Sequence, residues 1–587
     1  MNTRIIPALL GALLFSGVAE AAPSIYPVDT ARFLGGSRFD FKVEFDGQLA
    51  EKDAKVLING QDAKAVLGAK PEFIAKEKGA DGSALLLRGA SLKPGQYKVT
   101  VESPTGKASA NWDVYGTPDN PVAKNVILLI ADGLSMGHRT SARLMSKGVT
   151  NGMYNGKLSM DTLPYTAMLG TCSVDSIAAD SANTASAYMT VGGHKSSVNA
   201  LGVYADRTPD SLDDPRQETI AELLRRTTGK SIGVVSDAEI EDATPASVVG
   251  HTRRRADKAE IVDMFYSVKP DVIIGGGSAY FLPQNVPGSK RKDDKNYVEM
   301  FQKEGYALAT SNTELSNAVK GNPDKLLGLF HTGNMDGVLD RKFLKKGTVS
   351  KFPDQPDLTD SMRAALSVLS KNPEGFFLML EAGLVDKYSH PLDWERAVYD
   401  TIMFDKVVAI AQEFCDKNPD TLLIVTGDHT HSISVIGTVD DNLPGELMRD
   451  KVGIYAEAGY PAYKDENGDG YPDDVNVSKR LAVFIGNYPD YYETYRPKMD
   501  GPFVPSVKDE KGHYIANAAY KDVPGAQLRI GNLPRTESTG VHSIDDLVVG
   551  ARGPHADAFR GFMNSTEVFR IMSESNISFL AGSFMSI

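Results

Sequence analysis

Short apolar runs recur along the middle of the chain and constrain its fold more strongly than any other feature. They occupy residues 126–130, 231–235, 271–277, 375–381, 421–428 and 547–550. Between several of them, apolar residues are spaced three and four positions apart, as amphipathic helices require. Continuous apolar strands that alternate with helices indicate a largely parallel sheet covered on both faces. We therefore predict an α/β fold, a three-layer sandwich with a mostly parallel central sheet.

Acidic residues stand at the ends of three of these runs. Asp132, Glu381 and Asp428 each fall at or just past the C-terminal end of an apolar run, and His429 follows the last of them. The carboxyl ends of parallel strands meet at one edge of a sheet, and ligands bind at that edge. We therefore expect these side chains to converge on a ligand site.

Other residues of metal-ligand type lie near the same runs. Asp386 and His390 follow the fourth run, and His431 follows the fifth. His542 precedes the last run. Carboxylates and imidazoles without cysteine are typical of catalytic zinc sites, in which one position stays open for water or substrate.

Ser181 occupies a position suited to a nucleophile. It stands near the beginning of a run of small residues, 180–187, that can form a helix. The free N–H groups and the positive end of a helix dipole favour an anion at that point. Taken alone, Ser181 or Asp180 is better explained as a helix cap. The metal-ligand residues elsewhere in the chain favour a reactive serine.

Several motifs together resemble the alkaline phosphatase family. In chain order they are Ile130–Gly133, Asp180–Ala182 followed by Thr184-Ala185 and Ala187-Tyr188, Asp242–Pro245, Asp271–Gly277, Glu381–His390, Asp428-His429 and His542. The resemblance covers roughly 117–437 and 536–580. It implies the alkaline phosphatase fold and the hydrolysis of phosphate monoesters to an alcohol and inorganic phosphate through a phosphoserine intermediate.

The resemblance also implies two zinc ions, one magnesium ion and the residues that hold them. The implied ligands are Asp386, His390 and His542 for the first zinc, Asp132, Asp428 and His429 for the second, and Asp132, Thr244 and Glu381 for magnesium. The residues expected to support them are Asp242 and Lys387, near magnesium, and His431, which would orient Asp386 by a hydrogen bond. Some members of the family carry histidines where this chain has Asp242 and Lys387.

The implied catalytic residues are Ser181 and Arg255. In the family, the serine attacks phosphorus, and an arginine binds two phosphate oxygens. A guanidinium does this with two parallel hydrogen bonds, which lysine cannot make. Asp180 is expected to hold Arg255 in place. Without the resemblance, the three arginines 253–255 would be interpreted as a solvated basic face.

Residues 22–116 have the pattern of an N-terminal β-domain, and the composition changes at 117, where the catalytic domain, 117–587, is expected to begin. Apolar residues alternate with polar ones from Phe39 to Phe45. Short strands at this spacing indicate a small β-sandwich of the immunoglobulin type. We find no titratable cluster in this segment, so a structural or docking role is predicted.

The stretch 438–535 departs from the family and is predicted to cap the active-site edge, because both its ends come from there. Within it, the loop 465–474 has oxygen-bearing side chains at alternate positions and glycine at the sixth. That spacing wraps a chain around calcium, although position twelve is Asn476 and not glutamate. The alternative is an acidic surface turn. The predicted calcium ligands are Asp465, Asn467, Asp469, Tyr471 through its carbonyl, Asp473 and Asp474.

Residues 1–21 have the pattern of a secretory signal peptide, with Arg4, an apolar stretch and Ala19-Glu20-Ala21 as the cleavage site. We therefore predict an exported protein, periplasmic or secreted. No apolar run reaches the roughly 20 residues that a membrane span needs. The net charge of -13 argues against nucleic acid as a specific partner. The resemblance suggests a homodimer.

The remaining cysteine and histidine residues carry no predicted chemistry. Cys172 and Cys415 are the two cysteines, and either a disulfide or two free thiols fits an exported chain. The histidines interpreted as loop residues are His138, His194, His251, His331, His513 and His555.

Two other functions stay open at this point. One is a phosphodiesterase or sulfatase of the same superfamily. The diesterases generally lack the third metal site, and no C/S-x-P-x-R motif surrounds Ser181, as a sulfatase requires. The other is an exported calcium-binding surface protein with an inactive phosphatase core, against which the complete ligand set argues.

Overall fold

The computed structural model of the chain describes residues 22–118, 120–192 and 197–577. The predicted signal segment, 1–21, and His194 lie outside the described residues. Within the described part of the chain, no helix combines the length and the apolar character needed to cross a bilayer.

The N-terminal region, residues 22–116, contains two β-sheets around one apolar core. Its elements are β1 (Ser24–Tyr26), β2 (Arg32–Leu34), β3 (Phe39–Asp46), β4 (Lys55–Ile58), β5 (Gln61–Asp62), α1 (Ala63–Leu67), β6 (Glu72–Ile74), β7 (Gly82–Ala90), β8 (Gly95–Ser103) and β9 (Gly106–Tyr115). The sheet orders are β1-β3-β7-β6 and β2-β9-β8-β4-β5. Phe41, Val99 and Trp112 are among the buried residues of the shared core. Two sheets therefore enclose one core, whereas the immunoglobulin type and the domain boundary stay predictions.

From residue 125 onward, strands and helices alternate, as predicted. The elements up to residue 426 are β10 (Asn125–Ala131), α2 (Met136–Lys147), β11 (Val149–Thr150), β12 (Met153–Tyr154), β13 (Tyr165–Gly170), α3 (Ser181–Met189), α4 (Ile220–Thr227), β14 (Ser231–Glu239), α5 (Ala243–Ala246), α6 (Lys258–Val268), β15 (Val272–Gly276), α7 (Tyr297–Lys303), β16 (Ala307–Ala309), α8 (Asn312–Lys320), β17 (Leu326–Leu329), α9 (Leu358–Leu369), β18 (Phe376–Ala382), α10 (Leu384–Ser389), α11 (Trp394–Lys417) and β19 (Thr421–Thr426). Short 3-10 turns lie at Glu51–Asp53, Ser159–Thr162, Ser278–Tyr280, Ala518–Tyr520 and Ala556–Ala558, and a π-turn at Leu339–Leu344.

The insertion and the C-terminal segment complete the chain. Their elements are β20 (Ile433–Asp440), α12 (Glu446–Lys451), α13 (Tyr455–Ala458), β21 (Lys479–Ile485), β22 (Tyr491–Glu493), β23 (Ser506–Lys508), β24 (Tyr514–Ala516), β25 (Gln527–Arg529), β26 (Leu547–Arg552), β27 (Gly561–Asn564) and α14 (Thr566–Asn576). Asn487, in the insertion, donates a hydrogen bond to the His542 carbonyl at 3.2 Å. The insertion therefore contacts the segment that carries His542, and its role as a cap stays a prediction.

Among the described residues, ten strands form the central sheet, in the order β16-β17-β15-β14-β18-β10-β19-β26-β13-β27. β10 lies near its middle and pairs in parallel with both β18 and β19. β26 runs antiparallel to its neighbours β19 and β13. The other pairs are parallel, so the prediction of a mostly parallel sheet is confirmed.

The two faces of the sheet are covered by different layers. Along β10, Ile127 and Leu129 belong to one buried core, and Val126 and Leu128 belong to the other. Helices α9 and α11 contribute to the first core, and α4, α6 and α14 contribute to the second. Both faces are apolar because side chains alternate across a strand, so the runs read as continuously hydrophobic.

The two cysteines are free. Cys172 is exposed in the segment between β13 and α3, and Cys415 is buried in α11. Of the two alternatives left open by the sequence, the structure therefore has the free thiols.

Candidate active site

Three carboxylates lie together at the carboxyl edge of the central sheet. Asp132 directly follows β10, Glu381 is next to the last residue of β18, and Asp428 lies just past the end of β19. Pairing of β10 with both other strands brings their ends side by side. All three side chains are buried. The edge therefore concentrates negative charge in a place with little access to water.

Ser181 lies at the same edge as the first residue of α3. Its N–H donates to Asp180 Oδ1 at 2.7 Å, so Asp180 caps the helix. The Ser181 hydroxyl lies 3.4 Å from Asp132 Oδ1 and 3.3 Å from His429 Nε2. The serine oxygen is thus held at a helix N-terminus, where the N–H groups favour an anionic oxygen.

Two imidazoles face each other in a way that requires a positive charge between them. His390 Nδ1 lies 2.7 Å from the Gly540 carbonyl, and His542 Nδ1 lies 3.0 Å from the Ala179 carbonyl. A carbonyl only accepts, so each Nδ1 carries the proton and a neutral ring leaves a lone pair on Nε2. The two Nε2 atoms are 3.2 Å apart. Facing lone pairs repel unless a cation or a proton lies between them.

The carboxylate beside these two rings also favours a positive charge at this place. Asp386 Oδ1 lies 3.3 Å from His390 Nε2, 2.6 Å from His431 Nε2 and 3.4 Å from His542 Nε2. Burial lowers the pKa of His390, but the Asp386 carboxylate outweighs it and raises that pKa to about 9. The cluster therefore stabilises a positive charge, whether a proton or a metal ion carries it. Its donor set fits zinc.

A second cluster surrounds Asp132. His429 Nε2 lies 3.1 Å from Asp132 Oδ1, and the buried Asp428 Oδ2 has no hydrogen-bond partner among the described residues. Burial and then the charge of Asp132 raise the pKa of Asp428 well above its usual range. An unpartnered buried carboxylate oxygen is costly. This cluster also fits a cation.

Two groupings of metal-ligand side chains overlap with the implied ligand sets, and one of them departs from its set. Within the described part of the chain, the groups whose ligand atoms lie within 4.8 Å of one another are Asp386, His429, His431 and His542, and Asp132, Asp428 and His429. The second group is the set implied for the second zinc. The first shares Asp386 and His542 with the set implied for the first zinc, but it contains His429 and His431 and lacks His390. The resemblance gives His431 the task of orienting Asp386. The 2.6 Å contact of His431 with Asp386 is of the kind expected for that task.

A lysine lies beside Asp132, one of the residues implied for magnesium. Thr244 Oγ1 is buried without a partner among the described residues, and Glu381 accepts a hydrogen bond from the Ser236 hydroxyl. Lys387 Nζ lies 3.6 Å from Asp132 Oδ2 and 3.2 Å from Asp242 Oδ2. The ammonium group therefore neutralises part of the charge at this end of the site. Ser236 was missed from the sequence, although it directly follows an apolar run.

Arg255 is held between two carboxylates. Its Nη1 lies 2.6 Å from Asp180 Oδ1, the contact that the sequence led us to expect, and its Nη2 lies 3.0 Å from Asp242 Oδ1. Burial lowers the pKa of Arg255, but Asp242 and Asp180 outweigh it and the net shift is upward. Asp242 was expected only near magnesium, so its contact with Arg255 is a finding of the structure.

The predicted calcium loop folds its acidic side chains inward. Gly470 N donates to Asp465 Oδ2 at 2.8 Å, and Tyr471 N donates to Asp469 Oδ1 at 2.9 Å. Asp469 N donates to Asn467 Oδ1 at 2.7 Å. The Tyr471 ring is buried and stacks on Tyr399. The loop is thus anchored to α11 by its aromatic residue.

Some histidines interpreted as loop residues have a different place in the structure. His138 is in α2, fully buried, with Nε2 2.9 Å from the Ser389 hydroxyl, so the loop interpretation is wrong for it. Burial lowers the pKa of His138 to about 3. His251 is buried and pairs with Glu222 at 2.9 Å. The contact of His138 connects α2 to α10, the helix that carries Asp386.

Known proteins with similar sequences identify the family of this chain. A family model described as alkaline phosphatase matches residues 123–577, which is more than half of the chain. The chain belongs to the alkaline phosphatase family. Among curated members, the enzyme of Escherichia coli K12 is 31% identical over 365 residues, covering 56% of this chain and 74% of its own length. The alkaline phosphatase of Gadus morhua is 28% identical over 475 residues, covering 75% of this chain and 88% of its own length.

Solved structures of alkaline phosphatases share the fold. The Thermus thermophilus enzyme aligns with a TM-score of 0.53 and 21% identity, covering 78% of this chain and 92% of its own. The cold-active enzyme of a Shewanella species aligns with a TM-score of 0.52 and 20% identity, covering 77% of this chain and 100% of its own. The alkaline phosphatase fold is therefore confirmed for the larger part of the chain.

Proposed function

We propose that this chain hydrolyses phosphate monoesters through a phosphoserine formed on Ser181. The observation that carries the proposal is the pair of facing Nε2 atoms of His390 and His542 beside Asp386, at the same sheet edge as the serine hydroxyl. The ligand sets are proposed to be Asp386, His390 and His542 for one zinc, Asp132, Asp428 and His429 for the other, and Asp132, Thr244 and Glu381 for magnesium. When bound, zinc supplies positive charge that lowers the pKa of a hydroxyl and stabilises negative charge on phosphate oxygens.

In the proposed reaction, the Ser181 oxygen attacks phosphorus in line with the leaving alcohol. A phosphorus–oxygen bond to Ser181 forms as the bond to the alcohol breaks. The Ser181 hydroxyl gives up its proton to solvent, and the departing alcohol oxygen takes a proton from solvent. Water then attacks the phosphoserine, which releases inorganic phosphate and restores the hydroxyl. The start of α3 holds the serine oxygen in place for both steps.

Arg255 is proposed to bind the phosphoryl group during these steps. Its guanidinium is oriented by Asp180 and Asp242, and about a fifth of its side chain is exposed. A planar guanidinium held by two partners loses little freedom when it makes two further hydrogen bonds to a phosphate.

A comparison of two substrates tests the proposed function. We expect turnover of p-nitrophenyl phosphate to exceed that of bis(p-nitrophenyl) phosphate by at least about 100-fold, because binding of a monoester uses three free phosphoryl oxygens and removal of one good electrostatic contact costs about 3 kcal/mol. The measurement is kcat/KM for both esters on the same preparation. Preference for the diester would identify the phosphodiesterase alternative, and no turnover with zinc present would identify the inactive surface protein.

We also propose that the loop 465–474 binds calcium. The motif spacing and the inward side chains of Asp465 and Asp469 support this, and the buried Asp465 Oδ1 has no hydrogen-bond partner among the described residues. Oxygen ligands on a flexible loop are the kind that Ca²⁺ prefers. The loop lies against α11 through Tyr471, so an ion there would fasten the insertion to the catalytic core.

The calcium proposal predicts a change in thermal stability. Addition of about 1 mM Ca²⁺, which fills sites of the extracellular class, is expected to raise Tm by about 1 to 3 °C. The variant Asp465→Ala should abolish the shift, and Asp509→Ala, in another acidic turn of the insertion, should keep it. The measurement is a melting curve on zinc-loaded protein with Ca²⁺ or with equal Mg²⁺. Equal shifts in both variants would contradict the assignment.

Three further properties belong to the proposal. Export is inferred from the signal pattern of residues 1–21, and it fits a periplasmic or secreted enzyme. A homodimer is inferred from the family. The insertion 438–535 is inferred to cap the site, supported by the contact of Asn487 with the His542 carbonyl.

A further inference from the structure

The polar face of β3 is buried and not solvated. Asp40, Lys42 and Glu44 alternate with core residues along this strand, and the sequence pattern places them on the solvent face. In the structure they are only 5%, 3% and 5% exposed. Charged side chains are rarely buried to this extent unless they are paired. The N-terminal region therefore has a charged surface that the rest of the chain covers.

The covering segment is residues 199–217, which we call the strap. Lys42 Nζ lies 2.5 Å from Asp206 Oδ2 of the strap, 2.6 Å from Glu77 Oε1 and 3.1 Å from Glu44 Oε1. One buried ammonium group thus faces three buried carboxylates. Removing it would leave these three carboxylates close together in a medium of low dielectric with one positive charge fewer, which is unfavourable.

The strap also sends an arginine into the N-terminal region. Arg207 Nη2 lies 2.5 Å from Glu77 Oε2, and its guanidinium donates to the Phe45 and Ser83 carbonyls, each at 2.8 Å. Gly82 makes room for this side chain, because a Cβ there would lie 2.2 Å from Arg207 Nη2. The middle of the strap is therefore fastened by several charge-assisted hydrogen bonds.

The far end of the strap is fastened by the backbone. Asp40 N donates to the Arg216 carbonyl at 2.8 Å, and Arg216 N donates to Asp40 Oδ2 at 3.0 Å. Phe39 forms a β-bridge with Gln217. The N-terminal region therefore holds the strap at two separate places.

The opposite side of the strap holds the segment that contains Arg255. Arg253 Nη1 donates to the Asp206 carbonyl at 2.8 Å, and Arg253 N donates to the Ser211 carbonyl at 3.2 Å. Arg255 N donates to the Asn199 carbonyl at 3.1 Å. Asp206 thus has Lys42 on its side chain and Arg253 on its carbonyl. A continuous chain of contacts runs from β3 to the arginine segment.

We propose that the N-terminal β-region positions the phosphate-binding arginine, with Lys42 as a positioning residue that acts through Asp206 and Arg253. The proposal rests on the proposed function, in which Arg255 binds phosphate. Displacement of Asp206 would shift the segment 253–255 and loosen Arg255 between its two carboxylates. Phosphate binding depends on where that guanidinium lies, whereas Ser181 and the zinc ligands are on other elements.

A double-mutant cycle tests this proposal on the full chain. The variants are Lys42→Met, Arg255→Ala and both together, and the measurements are kcat, KM for p-nitrophenyl phosphate and Ki for inorganic phosphate. We expect Lys42→Met to raise KM and Ki about tenfold with little change in kcat, and to add nothing in the Arg255→Ala background, because coupled residues are not additive. Lys55→Met, which removes an exposed lysine of the same region, is the matched control and should leave KM and Ki unchanged.

The outcomes separate this proposal from the one on which it rests. An unchanged Ki in Lys42→Met, or effects that add independently in the double variant, would overturn the positioning role while Arg255→Ala still weakens phosphate. An unchanged Ki in Arg255→Ala would overturn both assignments. If Lys42→Met does not fold, Arg207→Gln replaces it, since Arg207 is partly exposed. Arg207→Gln must then raise KM in the same way, and it must have no further effect in the Arg255→Ala background.

Discussion

Replacement of Ser181 by alanine is expected to lower kcat/KM for phosphate monoesters by about 10³-fold or more, the order seen when a nucleophile is removed from a preorganised site. The hydroxyl is the group at the start of α3 that lies within 3.4 Å of both Asp132 and His429. Without it, no covalent intermediate forms, and turnover is limited to direct attack by water. The change removes one oxygen from a buried residue, so the fold and the metal content should persist.

Two readouts make the Ser181 result specific. Acid quenching during turnover of labelled substrate should leave phosphate on the wild-type chain and none on Ser181→Ala. Ser176→Ala, in the exposed segment before the same helix, is the control and should keep full activity. A Ser181→Ala variant with undiminished turnover would show that another residue is the nucleophile.

Removal of the metals is expected to abolish activity and to lower Tm by several degrees. The site then keeps buried carboxylates and the facing Nε2 atoms of His390 and His542. One of the carboxylates, Asp428, has an oxygen with no hydrogen-bond partner in the described part of the chain. An ion that binds only the folded chain at about 1,000 times its Kd stabilises it by about 4 kcal/mol, and chelation removes this contribution. Activity and Tm should return with Zn²⁺ and Mg²⁺, and Ca²⁺ should not replace them.

Metal content gives the matched control for this prediction. Elemental analysis should find two zinc ions per chain, and His542→Ala should lose about one of them, because it removes a ligand of one cluster. His513→Ala, in a turn of the insertion, should keep both ions and full activity. Catalysis that survives complete removal of metal would contradict the proposed site.

The sheet and its active edge followed from local patterns. Continuous apolar runs predicted parallel strands because both faces of such strands are buried, and acidic residues at their ends predicted a ligand site at one edge. Asp132, Glu381 and Asp428 lie there. His542 comes from a distant part of the chain, and its place beside His390 followed from the family resemblance and not from periodicity.

Other features depend on contacts that no local pattern records. Alternation along β3 predicts which side chains share a face but not what covers that face, and so the charged cluster around Lys42 was missed. The same limit explains His138, which is buried because α2 packs against α10. The family resemblance implied a position near magnesium for Asp242, and that stays a prediction. Its contact with Arg255 depends on how two separate segments fold together.

Residue types and their spacing were enough to predict the layered α/β architecture and the sheet edge at which the carboxylates lie, because each depends on local patterns. The family followed from several short motifs in a particular order. The folded structure was needed to show which lone pairs face each other, which lysine neutralises which carboxylates, and that the strap joins β3 to the arginine segment. Those depend on distances between side chains that are far apart in the chain, and such distances are set by packing of whole layers and not by any single element.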